Sequence, residues 1–153
     1  MKFLRSSRFW LIVILILAAL IRFYRLPEYM QFLGDEGRDV LIVKRMIVDH
    51  KFTLLGPTMS VAGFYVGPIY YYFMIPFLWA FQLNPVGPAV MAVLFGVATV
   101  WAIYYFCRLY LNPKVGLIAA LLLAFSPKAV NISQFSWNPN PIPFFTLLVF
   151  ILL

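Results

Sequence analysis

Hydrophobic residues run along this chain in long blocks, and the charged residues gather in the short stretches between them. The first block spans 9–26, near the lower end of the roughly 17–25 residues a helix needs to cross a bilayer, and Pro27 closes it. Lys2, Arg5 and Arg8 precede it, as in a secretory signal. Arg22 and Arg25 follow it with no small-x-small site, so it reads as an uncleaved anchor with a cytoplasmic N-terminus. A mixed stretch, 28–86, comes next. Within it, 35–50 has helical spacing: Val40, Val43 and Ile47 form one stripe beside Leu41 and Val48, while Arg38, Lys44, Arg45 and Asp49 take other faces. Such a helix lies along a membrane surface, with Asp35 as its N-cap and acids suited to its first turn. Residues 56–63 read as a turn-rich loop.

The apolar stretch 64–81 is interrupted by Gly67-Pro68 and Pro76 and carries Tyr65, Tyr70, Tyr71, Tyr72 and Trp79. It either crosses the bilayer or lies in the interface, where Tyr and Trp are enriched. The block 88–107 is the clearest span, twenty residues without a charge, and Arg108 and Lys114 follow it. If 64–81 crosses, those cations fall outside; if it does not, they fall inside, as positive charge prefers. The second arrangement is favoured. A further span is expected over 115–132, with Lys128 snorkelling to the interface. The proline-broken loop 131–143 then faces the same side as 35–39, and a last span starts over 142–153. The pattern predicts an all-α integral membrane protein, a multi-pass helical bundle with amphipathic juxtamembrane helices in the first external loop. It also predicts the N-terminal part of a larger protein, because the last apolar run, the ten residues 144–153, rises only about 15 Å, half a bilayer.

Composition sharpens this picture. The chain is 64% hydrophobic and only 11% charged, which excludes an ordinary soluble domain of its 153 residues. A net charge of +7 invites a nucleic-acid reading, but Lys and Arg are scattered at the ends of apolar blocks, not gathered on one face. No nucleic acid is expected. Cys107 is alone, so no intrachain disulfide or metal-thiolate set exists.

Candidate chemistry concentrates in Gly34-Asp35-Glu36-Gly37-Arg38-Asp39, which holds three of the five acidic residues. Ionised groups beside hydrocarbon are costly, so such a cluster marks a functional candidate. On a helix Asp35 and Glu36 point about 100° apart, which suits one reactive carboxylate and one that orients or coordinates. Arg38 offers a planar cation for a phosphate or a carboxylate. The plain alternative is that the two acids cap and solvate an interfacial helix. Of the other polar residues, Arg22 and Arg25 read as headgroup anchors, one of which could meet a lipid phosphate. His50 reads as a dipole contact at a helix end, and Tyr70 to Tyr72 as interfacial packing. Asn131-Ile-Ser133 matches a glycosylation sequon, a pattern common by chance.

An N-terminal anchor followed by an external loop in which Asp-Glu opens an amphipathic helix resembles the GT-C glycosyltransferases. The likeness is to the protein-mannosyltransferase and aminoarabinose-transferase-like group. Gly67-Pro-Ile-Tyr-Tyr-Tyr-Phe and Val115-Gly-Leu-Ile-Ala-Ala-Leu-Leu-Leu-Ala-Phe-Ser-Pro127 extend it along the chain. The resemblance implies a sugar moved from a polyprenyl-phosphate donor to a hydroxyl acceptor (protein, lipid or glycan) on the external face, with inversion. It implies Asp35 as the base, Glu36 as its neighbour in the catalytic motif, and 64–81 as a second surface-lying helix. Arg38, Asp39, Lys44, Tyr65, Asn138 and Asn140 are the substrate-binding candidates, with Arg45 a weaker source of cationic support. Many relatives carry an acid in the second external loop, where this chain has Ser133, Trp137, Asn138 and Asn140. Asparagine binds divalent metal weakly, so no metal and no other cofactor is expected. The competing reading is a transporter or lipid flippase with Asp35 and Glu36 as a coupling site. Coupling acids usually sit at the bilayer midplane, whereas these lie in a loop past the anchor.

Overall fold

The computed structural model describes residues 7–59 and 63–153; Lys2, Arg5 and part of the 56–63 turn fall outside them. The described residues form eight helices and no strand. They are α1 (Ser7–Phe23), α2 (Leu26–Tyr29), α3 (Gly34–Val48), α4 (Ile69–Ala80), α5 (Val86–Tyr110), α6 (Pro113–Phe125), α7 (Pro127–Ile132) and α8 (Ile142–Leu152). Among the described residues, only α5 is long and apolar enough to cross a membrane on length and composition alone.

The centre of the bundle is α5, packed against α1, α4, α6 and α8. The small residues Ala18, Ala120 and Ala124 let α1 and α6 close on Val100 and Tyr104 of α5. Gly116 does the same further along: a Cβ there would sit 2.7 Å from the Tyr104 carbonyl oxygen. The outward sides of α1, α6 and α8 stay apolar, with Ile16, Leu20, Ile118, Leu122 and Phe150 all exposed. Single exposed apolar residues are ordinary, but a ring of them around a bundle suits lipid.

Several contacts share one level across this bundle. Arg22 near the end of α1 meets the last turn of α6 at Ala124, Gly96 of α5 faces Ser133 past α7, and Phe95 packs on Phe144 at the start of α8. From Val86 to Phe95, α5 continues past that level for roughly 15 Å. Leu26 and Met30 around α2 pack on its Ala89 and Val93, and Met74 and Leu78 of α4 join Met91 on another side. The connection from α4 into α5 is tight, with Gln82 and Leu83 in the left-handed region.

Several boundaries differ from expectation. The anchor ends at Phe23, and Arg25, in left-handed conformation, turns the chain; Pro27 sits inside the first turn of α2 instead of closing the block. The stretch 115–132 is two helices, because the Ser126 hydroxyl accepts from the Ala129 N–H and Pro127 opens α7. Asn112 begins α6 by accepting from Lys114 and Val115 N–H. In 64–81 only the twelve residues of α4 are helical, about 18 Å. His50 follows α3 with a positive φ and ends it by turning the chain. Ser133 of the sequon is buried against α5.

Candidate functional site

The N-terminus of α3 is built by its own acids. Leu33 occupies the N-cap position and has no acceptor in its side chain, so the cap is one-sided: the Leu33 N–H donates to Glu36 Oε2 at 3.1 Å. Asp35 is therefore the second helical residue and not the N-cap. Glu36 is buried and its carboxylate faces back along the chain, whereas the Asp35 side chain is 60% exposed. Glu36 thus holds the turn, while Asp35 reaches solvent beside Arg38.

Val40, Val43 and Met46 form the buried stripe of α3, against Tyr71, Met74 and Leu78 of α4, while Leu41 and Val48 are exposed. Asp39 lies on this stripe and is 1% exposed. It is held by the Arg38 guanidinium at 2.8 Å and accepts from the Tyr71 hydroxyl at 3.1 Å. Burial raises the Asp39 carboxyl above its ordinary range, and the Arg38 and Tyr71 hydrogen bonds pull the other way without cancelling it. Burial and the Asp39 charge push the Tyr71 phenol up in turn.

Arg38 ties the pieces together. Its Nη1 donates to Asp35 Oδ1 at 2.9 Å and to Thr58 Oγ1 at 3.0 Å, while Nε donates to Asp39 at 2.9 Å. A planar fork satisfies partners in several directions at once, which an ammonium does less well. Burial alone would lower the guanidinium, but the paired carboxylates outweigh it, and Arg38 is the more firmly protonated. Thr58 comes from a narrow turn closed by the Thr58–Tyr65 bridge, where Gly56 donates to the Val66 carbonyl at 3.0 Å. Only glycine fits at 56, since a Cβ there would lie 2.3 Å from the Gly67 carbonyl oxygen.

A cavity of about 470 Å³ opens beside this cluster. Asp35, Arg38, Thr58, Tyr70, Trp137 and Asn138 are among the residues that line it. The Tyr70 hydroxyl is buried near Ser136 without a hydrogen bond of ordinary geometry. Two loops separated by about a hundred positions thus meet at one concavity, with a carboxylate, a cation and an indole around it.

The remaining candidates sit elsewhere. Asp39 reaches the cluster but faces inward, behind Arg38. Tyr65 is half exposed beside the Thr58 bridge and does not line the cavity. Lys44 and Arg45 line a separate shallow depression near the C-terminal end of α3. Asn140 is occupied within its own loop, donating to the Ile132 carbonyl at 2.8 Å and the Phe135 carbonyl at 2.6 Å. Sequence reasoning did not single out Thr58, or Tyr71 as the donor to Asp39. Nothing in a run of three tyrosines marks the one that faces α3.

Residues 65–153 match the family model described as dolichyl-phosphate-mannose-protein mannosyltransferase. The matched residues include Tyr70, Trp137 and Asn138 of the cavity; Asp35 and Arg38 precede them. No curated protein and no solved structure matches the chain.

Proposed function

The chain belongs to the dolichyl-phosphate-mannose-protein mannosyltransferase family, a GT-C-like glycosyltransferase group, and from that premise we propose that the Asp35–Asn138 cavity is where a hydroxyl acceptor meets a polyprenyl-phosphate sugar. The observation that carries this reading is the convergence of Asp35 and Arg38 with Trp137 and Asn138 around one cavity, in a chain of this family.

The chemistry follows from the groups present. Asp35 takes the acceptor proton as the acceptor oxygen bonds to the anomeric carbon. The bond from that carbon to the phosphate oxygen breaks, and polyprenyl phosphate leaves with the electron pair. Attack opposite the leaving group inverts the anomeric centre. The Arg38 guanidinium, fixed by Asp39 and Thr58, supports the leaving phosphate. Trp137 offers an apolar face to the sugar ring and Asn138 hydrogen bonds to its hydroxyls. The step as written uses no metal: Asp39 is taken up by Arg38 and Tyr71, and Glu36 by the Leu33 N–H.

The multi-pass arrangement belongs to the same proposal. With the bundle below the Arg22–Gly96–Phe144 level in hydrocarbon, the N-terminus of α1 and the α5–α6 turn with Arg108 and Lys114 face the cytoplasm. The acidic cluster then sits at the external edge of a cell membrane, and α4 lies outside the hydrocarbon beside the first part of α5. The test is transfer from radiolabelled polyprenyl-phosphate sugar in membranes holding the complete protein. Asp35→Asn should lower transfer by about 10²–10⁴-fold, the contribution of a general base. Full activity in that variant would refute the assignment.

A further inference from the structure

A second cavity, of about 280 Å³, lies between α1, α5, α6 and α7 and shares no lining residue with the first. Arg22 and Lys128 line it, with the Ser126 and Ser133 side chains, and no carboxylate does. Arg22 is not the headgroup anchor its sequence position suggests; it is 1% exposed. Its Nη1 donates to the carbonyls of Ala18 at 3.1 Å and Ala124 at 3.0 Å, and its Nη2 to Leu123 at 3.3 Å. Its Nε has no partner. Among the described residues no Asp or Glu pairs with it. Carbonyl dipoles solvate part of the guanidinium but do not cancel its charge, and a buried cation calls for a counter-charge. Lys128, on the same wall, deepens that demand instead of meeting it.

The missing partner is therefore an anion with several acceptor oxygens. Apolar groups of Leu123 and Ile132 complete the wall, so the anion's carrier is apolar too. Gly96 leaves the space: a Cβ there would stand 2.6 Å from Ser133 Cβ and 3.3 Å from Arg22 Nε. We propose that this cavity seats a lipid-borne phosphate, its oxygens taken by Arg22 and Lys128 and its chain leaving between α6 and α7. The site does not depend on the role given to Asp35, and its phosphate has two sources, an isoprenoid phosphate lipid or a membrane phospholipid.

Native mass spectrometry of the full chain, titrated with polyprenyl monophosphate, phosphatidylglycerol or phosphate-free polyprenol, tests the site and separates the sources. The wild type should hold a phosphate-bearing lipid over polyprenol. Lys128→Gln, at an exposed position that leaves the fold alone, should weaken that binding about tenfold, the worth of one charged contact. Arg22→Lys should weaken it at least as much, and Lys51→Gln, on the α3–α4 connection, should not. Preference for polyprenyl phosphate over phosphatidylglycerol makes this an isoprenoid-phosphate seat separate from the phosphate position at Arg38; equal retention makes it a phospholipid seat. Unchanged affinity in Lys128→Gln, or polyprenol bound as well as its phosphate, overturns the proposal. If Arg22→Lys does not fold, Lys128→Gln decides alone. Full transfer activity in Asp35→Asn sinks the Asp35 reading alone, and unchanged lipid affinity in Lys128→Gln sinks this one alone.

Discussion

Replacing Arg38 by Gln removes the one cation, among the described residues, that pairs with the Asp39 carboxylate, which is 1% exposed. What remains for that carboxylate is the Tyr71 hydroxyl. Breaking a buried ion pair from one side costs about 3–5 kcal/mol, because the other charge is left in low dielectric. Here the Arg38 side chain is 32% exposed. Water that takes its place solvates Asp39 in part, so a loss of about 2 kcal/mol is expected. That corresponds to a melting temperature lower by roughly 4–8 °C for a chain of this size. Thermal unfolding of the purified protein in detergent, followed by tryptophan fluorescence, measures it. The decisive variant is the double replacement Arg38→Gln with Asp39→Asn. With no charge left to strand, it should recover more than half of the loss, although it restores no ion pair. A double variant that melts at or below Arg38→Gln would show that the cost lies in lost packing and not in an orphaned carboxylate.

Three further outcomes rest on other contacts in the fold. Gly87→Ala places a Cβ 2.4 Å from the Phe77 carbonyl oxygen, a backbone atom that cannot rotate away. It should destabilise the α4–α5 hairpin by about 1–3 kcal/mol, and a wild-type melting curve would contradict the close approach. The raised Asp39 carboxyl also sets a pH dependence. Below its ordinary value of 3.8 both states are protonated; above it the unfolded chain ionises first, and stability falls as pH rises through the higher folded value. The melting temperature of wild type relative to Asp39→Asn should therefore drop from pH 3.8 upward, and a flat or rising difference sinks the argument. Finally, Asn138→Ala should leave the melting curve in place but raise the KM for donor or acceptor about fivefold, the loss of one neutral hydrogen bond.

The sequence made the helical character legible because apolar periodicity is averaged over many residues. Val40 and Val43 show in the sequence as an apolar stripe suited to a membrane surface; it packs on α4 instead, with Met46 as the third anchor and Ile47 at the margin. Single side chains were harder. Arg22 follows an apolar block, where a cation normally snorkels outward, yet the small residues of α1 and α6 leave a channel that draws it inward to the α6 carbonyls. The break at Ser126-Pro127 carried a capping signal that hydropathy smoothed over. Asp35 and Arg38 stood out from sequence because charge is rare here. Their meeting with Trp137 and Asn138 depends on how two distant loops fold over α4, and no local pattern encodes that.

The first ten residues of α5 act as a rigid post. Through Met91 they brace α4, and α4 carries α3 with Asp35 at its tip. The height at which that carboxylate stands is thus set by helical rise and not by a flexible tether. If Asp35 is the base proposed above, acceptors would be sorted by reach as well as chemistry: an alcohol presented too close to the bilayer, or too far from it, would miss the acid, and lengthening the post by one turn would change which alcohols are served.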